Sequence, residues 1–265
     1  MPQLGFGVFQ VPDDEAESAV TAALAAGYRS IDTAQAYGNE EGVGRALASS
    51  ELPREDLFIT TKLWNSASTT WTRDAVLREF DASLARLGLD RLDLYLIHWP
   101  RPMRDDYLTV LRAFAEIPRE RLRAFGVSNF TPAHLRRLKD ETGIVPALNQ
   151  IELHPYFQQA ETRAADEELG VVTEAWSPLG QGKGLLDDPV IASVAGKHGV
   201  TPAQAVLRWH LQLGNVVIPK SVTPSRIREN LDVFGFELDG DDMTAFAGLD
   251  RDGRVGPHPD EFDAG

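Results

Sequence analysis

Residues 84–98 read LARLGLDRLDLYLIH, and this stretch contains the unit that decides the fold. An apolar stripe with helical spacing leads up to Leu87, and Gly88 follows as a residue that ends helices. Residues 92–97 form a nearly continuous apolar run, which is typical of a parallel strand covered on both faces. The stretch therefore predicts a helix, a turn and a buried strand, with the polar His98 at the carboxyl end of the strand.

The same alternation of helical segments and short β-rich runs extends along the whole chain. Eight β-rich runs are predicted as strands, at 4–8, 30–33, 57–61, 92–97, 124–127, 147–151, 171–175 and 216–218. Segments with helical periodicity are predicted as helices at 14–26, 40–49, 76–87, 107–116, 132–141, 160–169, 189–198, 202–213 and 224–233. Eight parallel strands joined by helices close into a (β/α)8 TIM barrel, so we expect one barrel domain over residues 1–265.

An open, doubly wound sheet is the competing arrangement of the same elements. It requires a Gly-x-Gly-x-x-Gly turn between a strand and a helix. The glycines at 5 and 7 begin such a pattern without completing it, and the glycine-rich run at 180–184 does not have Walker A spacing. The length of 265 residues matches a barrel of about 250 residues.

The composition argues against several classes of protein. The chain has 26 basic and 40 acidic residues, and its formal net charge of −14 disfavours binding to nucleic acid. It contains no cysteine, which excludes disulfides and cysteine-bound metals, and no metal site is predicted. No apolar run is long enough to span a membrane, and residues 1–5 do not resemble a signal peptide, so we expect a cytoplasmic protein. With this net charge, an anionic ligand needs local cations.

Four residues at or near strand ends are chemically suited to proton transfer. Asp32, Lys62 and His98 each end or follow a predicted strand, and Tyr37 follows five residues after Asp32. Polar residues at the carboxyl ends of barrel strands face the active site, so we expect the four side chains to meet there. An ammonium group lowers the pKa of a neighbouring phenol, which would help Tyr37 donate a proton to a carbonyl oxygen while a hydride reaches its carbon. Each residue alone is more often structural, and only the combination indicates catalysis.

These strand ends belong to longer motifs. The motifs are IDTA at 31–34, YGNE at 37–40, TKLW at 61–64, LIHWP at 96–100, GVSNF at 126–130, NQIELHP at 149–155 and IPKSV at 218–222. In this order they resemble the motifs of the aldo-keto reductases over essentially the whole chain. WSPLGQGK at 176–183, GRV at 253–255 and HPDE at 258–261 are similar to the bacterial 2,5-diketo-D-gluconate reductases within that family.

The resemblance implies an NADPH-dependent reduction of aldehydes or ketones, with the hydride coming from C4 of the nicotinamide. Tyr37 would be the general acid, Lys62 and Asp32 would adjust its pKa, and His98 would orient the carbonyl. NADPH would bind without a Rossmann domain. The residues implied at the nicotinamide end are Ser128, Asn129, Gln150 and Trp176. Further contacts with the cofactor are implied for Ser177, Leu179 and Gln181. Trp176 offers a flat face to the nicotinamide ring, although from the sequence alone a core aromatic at the barrel rim is the better explanation.

The region after the predicted eighth strand suits the phosphate end of the same cofactor. Lys220 and Ser221 follow the strand, and Arg226 lies in the first turn of the next helix, whose amino-terminal dipole favours an anion. A lysine, a hydroxyl and a guanidinium suit a 2′-phosphate, which predicts NADPH over NADH. The resemblance adds contacts at this end from Val222, Glu229 and Asn230.

The resemblance also implies a substrate pocket lined by the aromatic side chains of Phe9, Trp64 and Trp99. The loop after Trp176 and the segment after Leu249 are short, so we predict an open pocket that accepts a broad range of small carbonyl compounds. Family members usually carry an N-terminal hairpin at the bottom of the barrel. No counterpart of it precedes the first predicted strand.

Three functions compete at this point. The reductase is favoured because four chemically compatible groups lie at successive strand ends. A non-catalytic, cofactor-sensing barrel of the potassium-channel-subunit type uses the same fold, but no extension for partner binding is evident. A barrel hydrolase needs two carboxyl groups about 5–10 Å apart, and Glu152 is the main candidate to accompany Asp32. We expect a monomer that acts on a small carbonyl substrate.

Overall fold

The computed structural model describes residues 1–65 and 70–263, and a single eight-stranded parallel sheet lies at its centre. The strands pair in chain order and are β1 Phe6–Gly7, β2 Ser30–Asp32, β3 Phe58–Leu63, β4 Leu92–Ile97, β5 Leu122–Ser128, β6 Leu148–Glu152, β7 Val172–Trp176 and β8 Val216–Val217. The sheet closes because Leu4 pairs with Val217, and the N–H of Gly5 donates to the Val217 carbonyl at 2.8 Å. The predicted (β/α)8 barrel is confirmed, and the open sheet is excluded.

The described residues also form ten α-helices. They are α1 Asp13–Ala26, α2 Glu40–Ala48, α3 Arg73–Leu87, α4 Tyr107–Glu116, α5 Pro132–Thr142, α6 Ala160–Leu169, α7 Pro189–His198, α8 Pro202–Gln212, α9 Pro224–Leu231 and α10 Gly240–Ala247. The first nine correspond to the predicted helices. The sequence prediction misses α10, which buries only Asp242 and Phe246 and so carries little apolar periodicity. The Asp239 side chain begins this helix by accepting the N–H groups of Asp241 and Asp242.

Several strand bounds differ from the predicted ones by one or two residues. The difference matters most in β3, which extends to Leu63, so that Lys62 lies inside a strand rather than after it. Side chains alternate between the two faces of a strand. Lys62 therefore shares a face with Phe58, whose cluster with Leu94 and Leu96 fills the inside of the barrel. By the same alternation His98, directly after β4, continues the face of Leu94 and Leu96.

Glycines allow the helices to turn directly into the next strand. Gly88 follows α3 with a φ of 64°, and Gly170 follows α6 with a φ of 73°. An L side chain is strained in this left-handed region, whereas glycine is not. The two glycines therefore lead directly into β4 and β7, which contribute His98 and Trp176 to the same rim of the barrel. None of the helices in the described residues is long and apolar enough to cross a membrane.

Candidate active site

A cavity of about 1040 Å³ lies at the carboxyl ends of the strands. Among its lining residues are nineteen of the twenty predicted site residues: Phe9, Asp32, Tyr37, Trp64, His98, Trp99, Ser128, Asn129, Gln150, Trp176, Ser177, Leu179, Gln181, Lys220, Ser221, Val222, Arg226, Glu229 and Asn230. Lys62, the twentieth, is fully buried and hydrogen-bonds to two of the lining residues. The cavity thus extends from the tyrosine to the start of α9.

The ammonium group of Lys62 connects the predicted proton donor to a carboxylate. Its Nζ lies 2.5 Å from Oδ1 of Asp32, 2.9 Å from the carbonyl oxygen of Thr33 and 3.4 Å from the hydroxyl of Tyr37. Asp32 ends β2, and a 3₁₀ turn over Gln35–Tyr37 brings the tyrosine back over the lysine. Residues 32–37 and β3 therefore assemble a short chain of polar contacts from the carboxylate to the phenol.

The pKa of Tyr37 does not follow the direction expected from Lys62 alone. Burial raises the pKa of the phenol, the charge of Lys62 lowers it, and the charge of Asp32 raises it again, so that the pKa is above its ordinary value. Lys62 thus lowers the pKa as the sequence predicts, but burial outweighs the ammonium group and the net direction is upward. Tyr37 is consequently a protonated phenol at neutral pH, which is the form that donates a proton.

Lys62 itself remains charged in spite of its burial. Burial lowers the pKa of the ammonium group, but the negative charge of Asp32 and the phenol of Tyr37 raise it by more, so the net direction is upward. A buried charge is stable only when it is paired and hydrogen-bonded. The short contact with Asp32 provides this pairing.

The imidazole of His98 lies beside the phenol and is neutral. Its ring is 5.8 Å from the Tyr37 ring and 4.9 Å from the indole of Trp64, both in edge-on geometry. Burial, followed by the positive charge of Lys62, holds the pKa of His98 well below its usual value. A neutral imidazole carries one N–H that can donate to a carbonyl oxygen without bringing a second positive charge next to Lys62.

Glu174 is a buried carboxyl group that the sequence prediction misses. The side-chain amide of Gln150 donates to Oδ2 of Asp32 at 2.8 Å and to Oε2 of Glu174 at 2.7 Å. Both amide protons of Gln150 are thereby used, which leaves its Oε1 as an acceptor for a ligand. Strand alternation is the signal that was available, since Glu174 lies two residues before the predicted Trp176 and shares its face of β7.

Asn129 and Trp176 form a second polar network on the cavity wall. The side-chain amide of Asn129 donates to the carbonyl oxygen of His98 at 3.0 Å and to Oγ of Ser128 at 3.1 Å, and its oxygen accepts the indole N–H of Trp176 at 2.8 Å. Asn129 and Ser177 have positive φ values of 64° and 51° directly after β5 and β7. Such backbone conformations cluster at ligand sites because surrounding contacts maintain them.

The far end of the cavity is exposed and positively charged. Lys220 and Arg226 are exposed, and in the described part of the chain neither is paired with a carboxylate. α9 begins at Pro224, and Thr223 before it makes no side-chain cap, so the first N–H groups of the helix are available to an anion. Glu229 accepts a hydrogen bond from Thr201 at 2.8 Å, so one of its oxygens is already bound.

The aromatic wall contains one residue that the sequence prediction misses. The ring centroid of Phe9 lies 5.1 Å from that of Tyr37, with the two rings tilted. The ring centroids of Trp64 and Trp99 lie 6.2 and 4.4 Å from that of Phe262. Phe262 comes from the C-terminal segment, whose residues Val255, Gly256 and Pro257 also line the cavity. The short tail after α10 therefore forms part of the pocket wall.

Known proteins match this chain over nearly its whole length. The sequence model of the Aldo/keto reductase family matches residues 3–251. An aldo-keto reductase of Mycolicibacterium smegmatis is 57% identical over 263 residues, which cover 99% of this chain and 94% of the relative. The methylglyoxal reductase DkgA of Escherichia coli is 53% identical over 264 residues, with the same coverage of both chains. A mutant of Gox0644 in complex with NADPH has a TM-score of 0.91 at 49% identity, over 98% of this chain and 93% of that chain.

These findings agree with the resemblance that the motifs indicate. Sequence identity, fold and the family model all cover at least nine tenths of the chain. The chain belongs to the aldo/keto reductase family, whose members are NADP-dependent oxidoreductases that act on carbonyl compounds.

Proposed function

We propose that this protein uses NADPH to reduce small aldehydes and ketones to alcohols, and that Tyr37 supplies the proton. One observation carries the proposal: a fully buried Lys62 ammonium contacts both the Asp32 carboxylate and the Tyr37 hydroxyl at the floor of the cavity. All these groups come from one chain, so we expect a monomer to be active. We expect it to act in the cytoplasm.

The residues of the cavity fit NADPH in chemical type. The exposed Lys220 and Arg226, with the uncapped start of α9, suit the 2′-phosphate. Oε1 of Gln150 suits the amino group of the nicotinamide carboxamide, because both amide protons of Gln150 are already donated. The indole of Trp176 lines the same cavity and offers a flat face to the nicotinamide ring. The relative Gox0644 binds NADPH in a solved structure, which supports the assignment.

Bound NADPH supplies a hydride from C4 of the nicotinamide to the carbonyl carbon. The protein supplies the proton: the O–H bond of Tyr37 breaks as the carbonyl oxygen takes up its proton, and the product is the alcohol. The N–H of neutral His98 hydrogen-bonds the same oxygen and fixes its position. The Lys62 ammonium stabilises the phenolate that Tyr37 becomes, and Asp32 holds the ammonium in place.

The aromatic walls favour small carbonyl substrates. Phe9, Trp64, Trp99 and Phe262 surround the end of the cavity that contains Tyr37, and they exclude water from the hydrogen bonds to the carbonyl oxygen. Methylglyoxal is the first compound to test, because the relative DkgA is a methylglyoxal reductase. 2,5-Diketo-D-gluconate is the second, because the motifs at 176–183 and 253–261 resemble those of its reductases.

The test is the rate of NADPH oxidation with a panel of carbonyl compounds, measured for the native chain and for Tyr37→Phe. We expect the variant to lose activity by about 10³-fold, because general acid catalysis contributes a factor of this order. Its NADPH affinity, followed by protein fluorescence, should change by less than about twofold, because the phenol is not a cofactor ligand in the proposal. Normal turnover in Tyr37→Phe would overturn the assignment of the proton donor.

A further inference from the structure

The C-terminal strap, residues 251–263, crosses the carbonyl end of the cavity. It follows α10, and its residues Val255, Gly256, Pro257 and Phe262 line the cavity. The ring of Phe262 lies 4.4 Å from Trp99. The position of the strap therefore sets the width of the proposed carbonyl pocket on this side.

The side chain of Glu152 accepts hydrogen bonds from the main chain of the strap. It is the last residue of β6 and is 1% exposed. Its Oε1 accepts the N–H of Val255 at 2.6 Å, and its Oε2 accepts the N–H of Gly256 at 2.8 Å. Nε2 of His154 lies 3.0 Å from Oε1. The residue considered from the sequence as the second acid of a hydrolase thus uses both oxygens on consecutive main-chain amides.

The strap packs closely against the indole of Trp176 at Gly256, which has no side chain. A Cβ atom at this position would lie 2.6 Å from Cη2 of Trp176 and 3.1 Å from Oε2 of Glu152, so any side chain would force the strap away. Glu152 is also directly opposite Trp176 in the pairing of β6 with β7. The carboxylate of Glu152 therefore holds the main chain of the strap at the place where the strap contacts the indole.

At the start of the strap the N–H groups of Arg251 and Gly253 donate to the carbonyl oxygen of Tyr156 at 3.3 and 2.8 Å. The acidic side chains of the strap that form ion pairs are more exposed than Glu152. Arg104 contacts Asp263 at 3.0 Å, and His134 contacts Asp260 at 3.2 Å, where the Asp260 side chain is 53% exposed. Exposed ion pairs contribute little because water and salt screen them. Hydrogen bonds from main-chain amides to a buried carboxylate are stronger, so Glu152 provides the strongest polar attachment of residues 255–262, which include the pocket-lining part of the strap.

We propose that Glu152 is a positioning residue that determines substrate specificity by holding the C-terminal strap at a fixed distance from Trp176. The inference rests on the proposed reductase function. Without this attachment residues 255–262 move outward, and a small carbonyl compound loses contact with the wall of the pocket. A bulky aromatic aldehyde fits the wider pocket and loses less. The proton transfer itself is unaffected, because Glu152 does not contact Tyr37 or Lys62.

The test compares Glu152→Gln with the native chain and with Asp166→Asn. Asp166 is a matched control, since it is a buried carboxyl group that accepts hydrogen bonds from Asn149 and Thr173 but does not contact the strap. In Glu152→Gln an NH2 group faces one of the two amides. We expect the KM for methylglyoxal to rise about tenfold, the loss expected for one charge-assisted hydrogen bond, with kcat changed by less than about threefold.

The ratio of kcat/KM for benzaldehyde over methylglyoxal should rise in Glu152→Gln and stay unchanged in Asp166→Asn. An unchanged ratio in both variants would overturn the inference. Gly256→Ala displaces the strap while keeping Glu152, so it should raise the ratio as well. If Glu152→Gln does not fold, Gly256→Ala serves as the test. An unchanged ratio of kcat/KM for benzaldehyde over methylglyoxal in Gly256→Ala would then overturn the proposal.

Hydrogen exchange provides a readout that does not depend on activity. The amides of Val255 and Gly256 should exchange at least about tenfold faster in Glu152→Gln, while those of the barrel strands keep their protection. If these two amides exchange at the same rate in Glu152→Gln as in the native chain, Glu152 does not hold the strap. If the native chain reduces no carbonyl compound, the proposed function fails, but the exchange experiment still shows whether Glu152 holds the strap.

Discussion

The two ends of the cavity hold their charges in opposite ways. At the tyrosine end Lys62 and Asp32 are buried and joined at 2.5 Å. At the far end Lys220 and Arg226 are exposed and, in the described part of the chain, have no carboxylate partner. A buried charge needs a fixed partner, whereas an exposed cation remains available for a ligand. The first end is thus built for chemistry and the second for binding, and a substitution should affect them differently.

Loss of the buried cation should have the largest effect. Lys62→Met leaves Asp32 buried without its ammonium partner, and breaking such a pair costs about 3–5 kcal/mol of the free energy of unfolding. Turnover should fall by about 10³-fold as well, because nothing then stabilises the Tyr37 phenolate. Denaturant unfolding and steady-state NADPH oxidation measure the two effects.

The double variant Asp32→Asn with Lys62→Met separates stability from catalysis. A neutral pair of similar volume removes the unpaired charge, so we expect much of the stability to return while turnover stays low. A single Lys62→Met variant as stable as the native chain would show that the buried end does not depend on its ion pair.

Glu174→Gln should change how stability depends on pH. Burial, followed by the charge of Asp32, raises the pKa of Glu174 to about 8 from an ordinary value of 4.5. Between these values the folded chain binds more protons than the unfolded chain, so its free energy of unfolding falls as the pH rises towards 8. The variant lacks this loss. Relative to the native chain, its free energy of unfolding should therefore rise by about 4 kcal/mol between about pH 5 and about pH 9. Parallel stability curves for the two chains would contradict the prediction.

At the exposed end a substitution should reduce affinity and little else. Arg226→Ala should raise the Kd for NADPH about tenfold and leave that for NADH unchanged, because only NADPH carries the 2′-phosphate. The free energy of unfolding should change by less than about 0.5 kcal/mol, as is usual for an exposed position. Arg228→Ala is the matched control, since Arg228 is exposed on the same helix but does not line the cavity. If both variants lose the same affinity for NADPH, the effect comes from the net charge of the protein and not from a contact with Arg226.

Salt should give the smallest effect. Raising the ionic strength from about 0.01 M to about 0.15 M shortens the screening length from about 30 Å to about 8 Å. The Kd for NADPH should therefore rise a few-fold, and kcat should stay constant because the buried pair is not reached by salt. A kcat that depends on salt, together with a constant Kd for NADPH, would contradict the assignment of catalysis to the buried end and of binding to the exposed end.

The sequence predicts the order of the elements well and their ends less well. Each of the eight predicted strands corresponds to an observed one, because buried parallel strands have a strong apolar signal. β3 ends two residues later than predicted, since the polar Lys62 interrupts the apolar run while its main chain continues the ladder. α10 and Phe262 of the strap are missed because their role depends on residues far away along the chain.

The sequence by itself determined the barrel, the motifs and the kinds of chemical group that the cavity contains. Only the tertiary structure decided what surrounds each group. It set the pKa of Tyr37 above its ordinary value, because the net effect of burial, Lys62 and Asp32 depends on their three-dimensional arrangement. It also brought Glu174 to Gln150 and the strap to Glu152, across separations of 24 and about 100 residues along the chain. Local patterns encode strands and helices, whereas desolvation and long-range contacts arise only when the chain has folded.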